Sequence, residues 1–178
     1  MLRILTCITV EHDLRLVLLA ALICFLSCYV AVTLMQRAGV AKGTARTLWL
    51  GVAGASSGFG IWATHFIAML AYDPGVLRGF DMELTIASLA IAIVVTTIGL
   101  AVAAYFAGTV AAVAGGLLLG AGITSMHYIG MAAMEVPGTI HWDTAYVVAS
   151  IICAGLFGAL ALVFCMRPQA RLRDRALA

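Results

Sequence analysis

Two histidines stand where a chain this apolar should carry only hydrocarbon, and each is followed four residues later by a methionine: His65 by Met69, His127 by Met131. Residues four apart share a helix face, so each pair aims an imidazole nitrogen and a thioether sulfur at one point. Met126 and Met134 add sulfur near the second pair, although Met126, next to His127, points about 100° away around a helix. Imidazole with thioether suits copper, above all soft Cu(I). Zinc would be expected to recruit cysteine or carboxylate instead. Two imidazoles on facing helices could also serve haem as axial ligands, in a cleft wide enough for a porphyrin. The plain alternative is that each imidazole bonds a backbone carbonyl or a nearby hydroxyl, Thr64 or Ser125, while the methionines only fill space. Recurrence of the pair in register favours function, because ionisable groups inside a membrane are functional candidates by default.

The elements that must position these groups are apolar helices. Of the 178 residues, 64% are hydrophobic and 10% charged, against about 25% charged in a soluble domain. A spanning helix needs about 20 mostly apolar residues. Five segments qualify: Leu14–Met35, Leu48–Ala71, Leu84–Phe106, Val110–Met134 and Ala145–Met166. The expected fold is an all-α transmembrane bundle, with residues 1–166 as one membrane domain and 167–178 as a short basic tail. Met1–Val10 is too short and interrupted for a secretory signal, with Glu11, His12 and Asp13 directly after it.

The chain repeats itself at a step of 62 residues, which pairs His65 with His127, Met69 with Met131, Gly54 with Gly116, Asp81 with Asp143 and Ser88 with Ser150. One unit reads as a glycine-rich helix, a Pro-Gly loop, an acidic residue and a second helix. The first helix fits the later phase of that unit, with Asp13 before Leu16 as Asp81 stands before Leu84. Gly54 with Gly58 and Gly116 with Gly120 form small-xxx-small faces that let helix backbones approach closely. That closeness is expected to bring the two histidines together.

Arg37, Lys42 and Arg46 fall in the first loop, and Arg167, Arg171, Arg173 and Arg175 in the tail. The positive-inside rule makes their side cytoplasmic, with the N-terminus out and the C-terminus in. Both histidines then lie about 10 Å below the outer loops at 1.5 Å per residue. Asp81 and Asp143 are expected as helix caps. His12 with Asp13 and His141 with Asp143 could instead hold an imidazole tautomer through a carboxylate. The five cysteines show neither disulfide nor zinc spacing, although Cys24 and Cys28 share a helix face. A net charge of +2 gives no reason to expect nucleic acid. With no nucleophile–base pair, phosphate loop or paired carboxylates, an enzyme is not expected.

At Met126-His127-Tyr128-Ile129-Gly130-Met131 the sequence resembles the MHYT family of bacterial integral membrane sensor domains, and Gly60 to Met69 resembles that family's first, more divergent motif. The resemblance covers residues 8 to 166. It implies a plasma-membrane sensory domain that binds copper through motif histidine and methionine near the outer face. It further implies sensing of oxygen, carbon monoxide, nitric oxide or redox state. Thr64 replaces the usual methionine of the first motif and Ile129 the threonine of the second. Members generally carry a third motif on a further helix; here His12, His141 or a second subunit are the candidates for further ligands. The leading expectation is a sensory input module in the lipid bilayer that signals to a separate cytoplasmic or membrane partner, with a homo-oligomer as a further form. The rivals are copper permeation, which asks for ligands such as Met35, Cys24, Cys28 and Cys165 toward the cytoplasmic half, haem binding, and a purely structural subunit.

Overall fold

A computed structural model describes residues 12–73, 75–106, 108–138 and 141–177, with 167–177 described by backbone alone. Cys7, Glu11, Pro74, Met1–Val10 and the side chains of the basic tail lie outside the described residues. Five helices follow one another: α1 (Leu14–Val40), α2 (Gly43–Ala71), α3 (Met82–Tyr105), α4 (Thr109–Ala132) and α5 (Thr144–Leu177). Each packs chiefly on its neighbour in sequence, as short connections between antiparallel helices require. Left-handed glycines make the two tight turns: Gly43, at φ +56°, between α1 and α2, and Gly108, at φ +108°, between α3 and α4.

Aspartates start the helices on the opposite side. Asp13 accepts from Arg15 N, Asp81 from Leu84 N and Asp143 from Ala145 N, each at 2.8 Å, so the free N–H groups of the first turn are met. The first turn of α2 closes the other end, where Arg46 donates to the Ala104 carbonyl and its guanidinium lies 4.8 Å over the Tyr105 ring. Near it, Arg37 covers Trp49 at 5.2 Å. The bundle thus has an arginine end and a histidine end.

Among the described residues, four helices are long and apolar enough to cross a membrane: α1, α3, α4 and α5 up to Met166. The sequence reading had five. α2 has the length but not the hydropathy, because serines, glycines, Trp62, Thr64 and His65 dilute its apolar residues. Helix boundaries also move: α1 runs past Met35 to Val40 and α2 begins at Gly43, so the expected loop 36–47 shrinks to Ala41 and Lys42. α4 stops at Ala132, and Met134-Glu135 leave the helix as strand β2, antiparallel to β1 (Gly79–Phe80). The last helix passes Met166 without a break and runs to Leu177.

The repeat survives in the backbone. Asp13 N donates to Ala71 O and Asp81 N to Ala133 O, both at 2.8 Å, and Ala71 and Ala133 are one repeat apart. The His12–Tyr72 bridge matches the Phe80–Met134 pair in the same way. The joint of α1 with α2 is therefore the joint of α3 with α4.

Burial is uneven. Met35, Ala38, Leu50, Ala53, Leu100, Ala103, Ala104 and Leu162 form a close core toward the arginine end. In their most apolar stretches α1 is 6% and α5 11% buried, against 33% and 39% for α3 and α4. Outward residues such as Leu18, Phe25 and Phe157 give α1 and α5 the apolar surface that lipid covers in place of protein.

Candidate metal centre

The glycine faces do not join the two histidine helices, as the sequence reading expected. A Cβ at Gly58 would come within 2.6 Å of Ile93 Cα, and one at Gly120 within 2.7 Å of Ala154 C. Gly54 and Gly58 seat α2 on α3, whereas Gly116 and Gly120 seat α4 on α5. The helix pair inside each repeat is what these glycines hold.

His65 and His127 meet across α2 and α4 through a different glycine. A Cβ at Gly130 would stand 2.6 Å from His65 Nε2 and 2.9 Å from its Cδ2. Lacking one, α4 lets the His65 ring lie against its backbone. The two Nδ1 atoms then face each other at 3.3 Å, with ring centroids 4.9 Å apart and planes at 75°. That is long for a hydrogen bond through N–H, whose usual range is about 2.7–3.2 Å. His65 Nε2 is buried with no hydrogen-bond partner among the described residues, and so is the Thr64 hydroxyl. The two histidines therefore face each other through Nδ1, and His65 does not bond the Thr64 hydroxyl.

Beside the pair lies a cavity of about 290 Å³. His65 and Met69 line it from α2, His127 and Met131 from α4, and Met134 from β2; Ala68, Tyr72 and His12 complete the wall. Met126 does not line it, being buried in the bundle at 1% exposure. His141 is exposed and lies outside the wall, and Asp13 and Asp143 serve as helix caps. The room that Gly130 makes was missed from sequence, whereas His12, a candidate for a further ligand, lines the wall. The signal for that room was a glycine three residues after a histidine, one helical turn along the same face.

The donors fit a small soft ion. Two nitrogens held about 2.0–2.1 Å from one ion at a tetrahedral angle stand about 3.3 Å apart, the separation observed here. Three sulfurs surround them and, among the described residues, no group of three His, Cys, Asp or Glu could hold a metal. The donor set is imidazole and thioether, the combination that favours copper over zinc.

A four-stage pattern of glycine helix, loop, aspartate cap and apolar helix occurs twice over, with a histidine–methionine pocket at one end, and defines a repeated membrane helix-pair domain. The chain belongs to the MHYT family, described as the N-terminal repeat of bacterial signalling proteins, which matches residues 58–116 and again 120–178. The two matches begin 62 residues apart (120 − 58), the step of the repeat. It is 39% identical over 175 residues to an uncharacterized signaling protein of Caulobacter vibrioides, covering 98% of this chain and 22% of that one. It is 33% identical over 153 residues to the bifunctional diguanylate cyclase/cyclic di-GMP phosphodiesterase MucR of Pseudomonas aeruginosa, covering 85% and 22%. With the cyclic di-GMP phosphodiesterase NbdA of the same organism it shares 34% over 163 residues, 90% of this chain and 21% of that one. The chain spans about a fifth of the length of the curated relatives it matches. No solved structure matches it.

Proposed function

We propose that this sensory module holds a copper ion between His65 and His127 and reports the binding of a diatomic gas, or a change of redox state, at that ion. The observation that carries the reading is the 3.3 Å separation of the two Nδ1 atoms in a sulfur-lined cavity. Copper supplies a centre that binds small π-acceptor ligands and changes oxidation state. The chain's own part is to hold two nitrogens at a fixed bite, to offer Met69, Met131 and Met134 as soft donors, and to keep bulk water out with apolar walls. Haem fits this arrangement less well. Axial imidazoles stand on opposite faces of the macrocycle, and rings in edge contact at 4.9 Å leave no slot for one.

The arginine end is read as cytoplasmic, from Arg37, Lys42 and Arg46. Signal then leaves along α5, which touches α4 through the Tyr128–Ser150 hydroxyl pair at 2.7 Å and reaches Leu177. Its receiver is an output enzyme of the cyclic di-GMP class named among the relatives. The test is copper and iron per chain in detergent-purified protein, beside a His65→Ala/His127→Ala variant. The expected result is about one copper per chain, lost in the variant; iron with a Soret band points to haem, and neither metal overturns the reading.

Copper permeation remains a second reading on one observation. Cys24, Cys28, Met35 and Cys165 gather round a single cavity of about 400 Å³ between α1 and α5. Copper uptake into proteoliposomes separates that reading from a sensor, which retains its ion.

A further inference from the structure

Three rings close the histidine end, and each directly precedes an aspartate that caps a helix: His12 before Asp13, Phe80 before Asp81, Trp142 before Asp143. Each lies on a second ring: His12 at 5.2 Å from Tyr72, Phe80 at 5.6 Å from Phe66, Trp142 at 5.3 Å from Tyr128. Phe80 and Trp142 are one repeat apart, and so are Phe66 and Tyr128. The shared backbone joint makes His12 the counterpart of Phe80. Neither a phenyl ring nor an indole, whose nitrogen only donates, offers a metal ion a lone-pair ligand. At the first of the three positions the ring is an imidazole.

His12 is also the wall between two cavities. On its inner side is the histidine–methionine cavity. On its outer side is one of about 550 Å³ lined by Asp13, Asp73, Leu77 and Arg78. Arg78 is committed to the end of α2, donating to Leu70 O at 2.8 Å and Met69 O at 3.3 Å. The backbone pins His12 in place through its bridge to Tyr72 and the Asp13 N–H bond to Ala71 O. Since no three His, Cys, Asp or Glu among the described residues could hold an ion together, His12 stands one step outside the His65–His127 pair.

We infer that His12 is the gateway ligand of the metal centre. An ion in the outer cavity exchanges a water for a His12 ring nitrogen. It then exchanges that nitrogen for those of His127 and His65 and for the nearby sulfurs. Only ligands are exchanged; no electron is transferred. The inference rests on the copper reading above.

The test is the time course of Cu(I) uptake by the full chain in detergent, kept reduced with ascorbate, quenched with a chelator at set times and followed by metal analysis. His12→Phe installs the ring of the equivalent position. It should slow uptake about tenfold, the low end of the range for a lost group around a metal, while the final copper content equals that of the native chain. His12→Gln, which keeps polarity without a strong ligand, should be equally slow, and His12→Met, which keeps a soft donor, should recover the rate. Native-rate uptake by His12→Phe or by His12→Gln overturns the gateway alone. A fall in final copper in either makes His12 a resident ligand and also overturns it. A native chain that takes up no copper removes the copper reading and the gateway with it.

Discussion

At His65 the nitrogen turned away from His127 lies against Gly130, so the pair depends on a hydrogen atom where other residues carry a methyl group. Gly130→Ala puts a Cβ 2.6 Å from Nε2 and forces the ring to swing. On the copper reading proposed above, a ring displaced from its bite loses one of two nitrogen donors, so copper affinity should fall about 10–100-fold, the range for lost support around a ligand. Competition with a chromophoric chelator measures it, and unchanged affinity would separate Gly130 from the site. Tyr128 tests the other side of the motif. Its hydroxyl bonds Ser150 at 2.7 Å and its ring lies 5.0 Å from His127. Tyr128→Phe should keep the copper and lower stability by about 0.5–1.5 kcal/mol, read by thermal unfolding in detergent.

Helices set the next scale, and there the glycine pairs act within repeats. Gly58→Ala brings a methyl group 2.6 Å from the Ile93 backbone, which cannot rotate aside. α2 and α3 must separate, at a cost of about 1–3 kcal/mol. Gly51→Ala is the control, since nothing lies within 4 Å of its Cβ; its effect should stay within about 0.5 kcal/mol. Equal melting temperatures for the two variants would show that the α2–α3 contact is looser than the geometry indicates. The small-xxx-small faces were readable from sequence, but not their partners. Spacing shows which residues share a stripe, while four other helices compete to meet it.

For the whole molecule the surface is the test. Cys24 and Cys153 are exposed on helices long and apolar enough to span a membrane, so their exposure is to lipid. In intact membranes both should resist a water-soluble maleimide and react once detergent admits it; reaction beforehand would place them in water. A reporter fused behind Leu177 should be active only in a cytoplasmic assay, and a periplasmic signal would reverse the orientation drawn from Arg37, Lys42 and Arg46.

The order of helices, the 62-residue step, the aspartate caps and the histidine–methionine pairs are local or periodic properties, and the sequence by itself determined them. Composition decides what can lie in lipid, and an i,i+4 spacing decides what shares a face. The tertiary structure decided which helices meet. It placed Met126 inside the bundle and kept Met134 at the cavity although its helix had ended. It set His12, one of several candidates for a further ligand, in the wall of the site. These outcomes depend on contacts between residues far apart in the chain, such as Asp13 N with Ala71 O and Gly130 with His65. No spacing along one segment encodes such contacts, because they form only when whole helices have settled against each other.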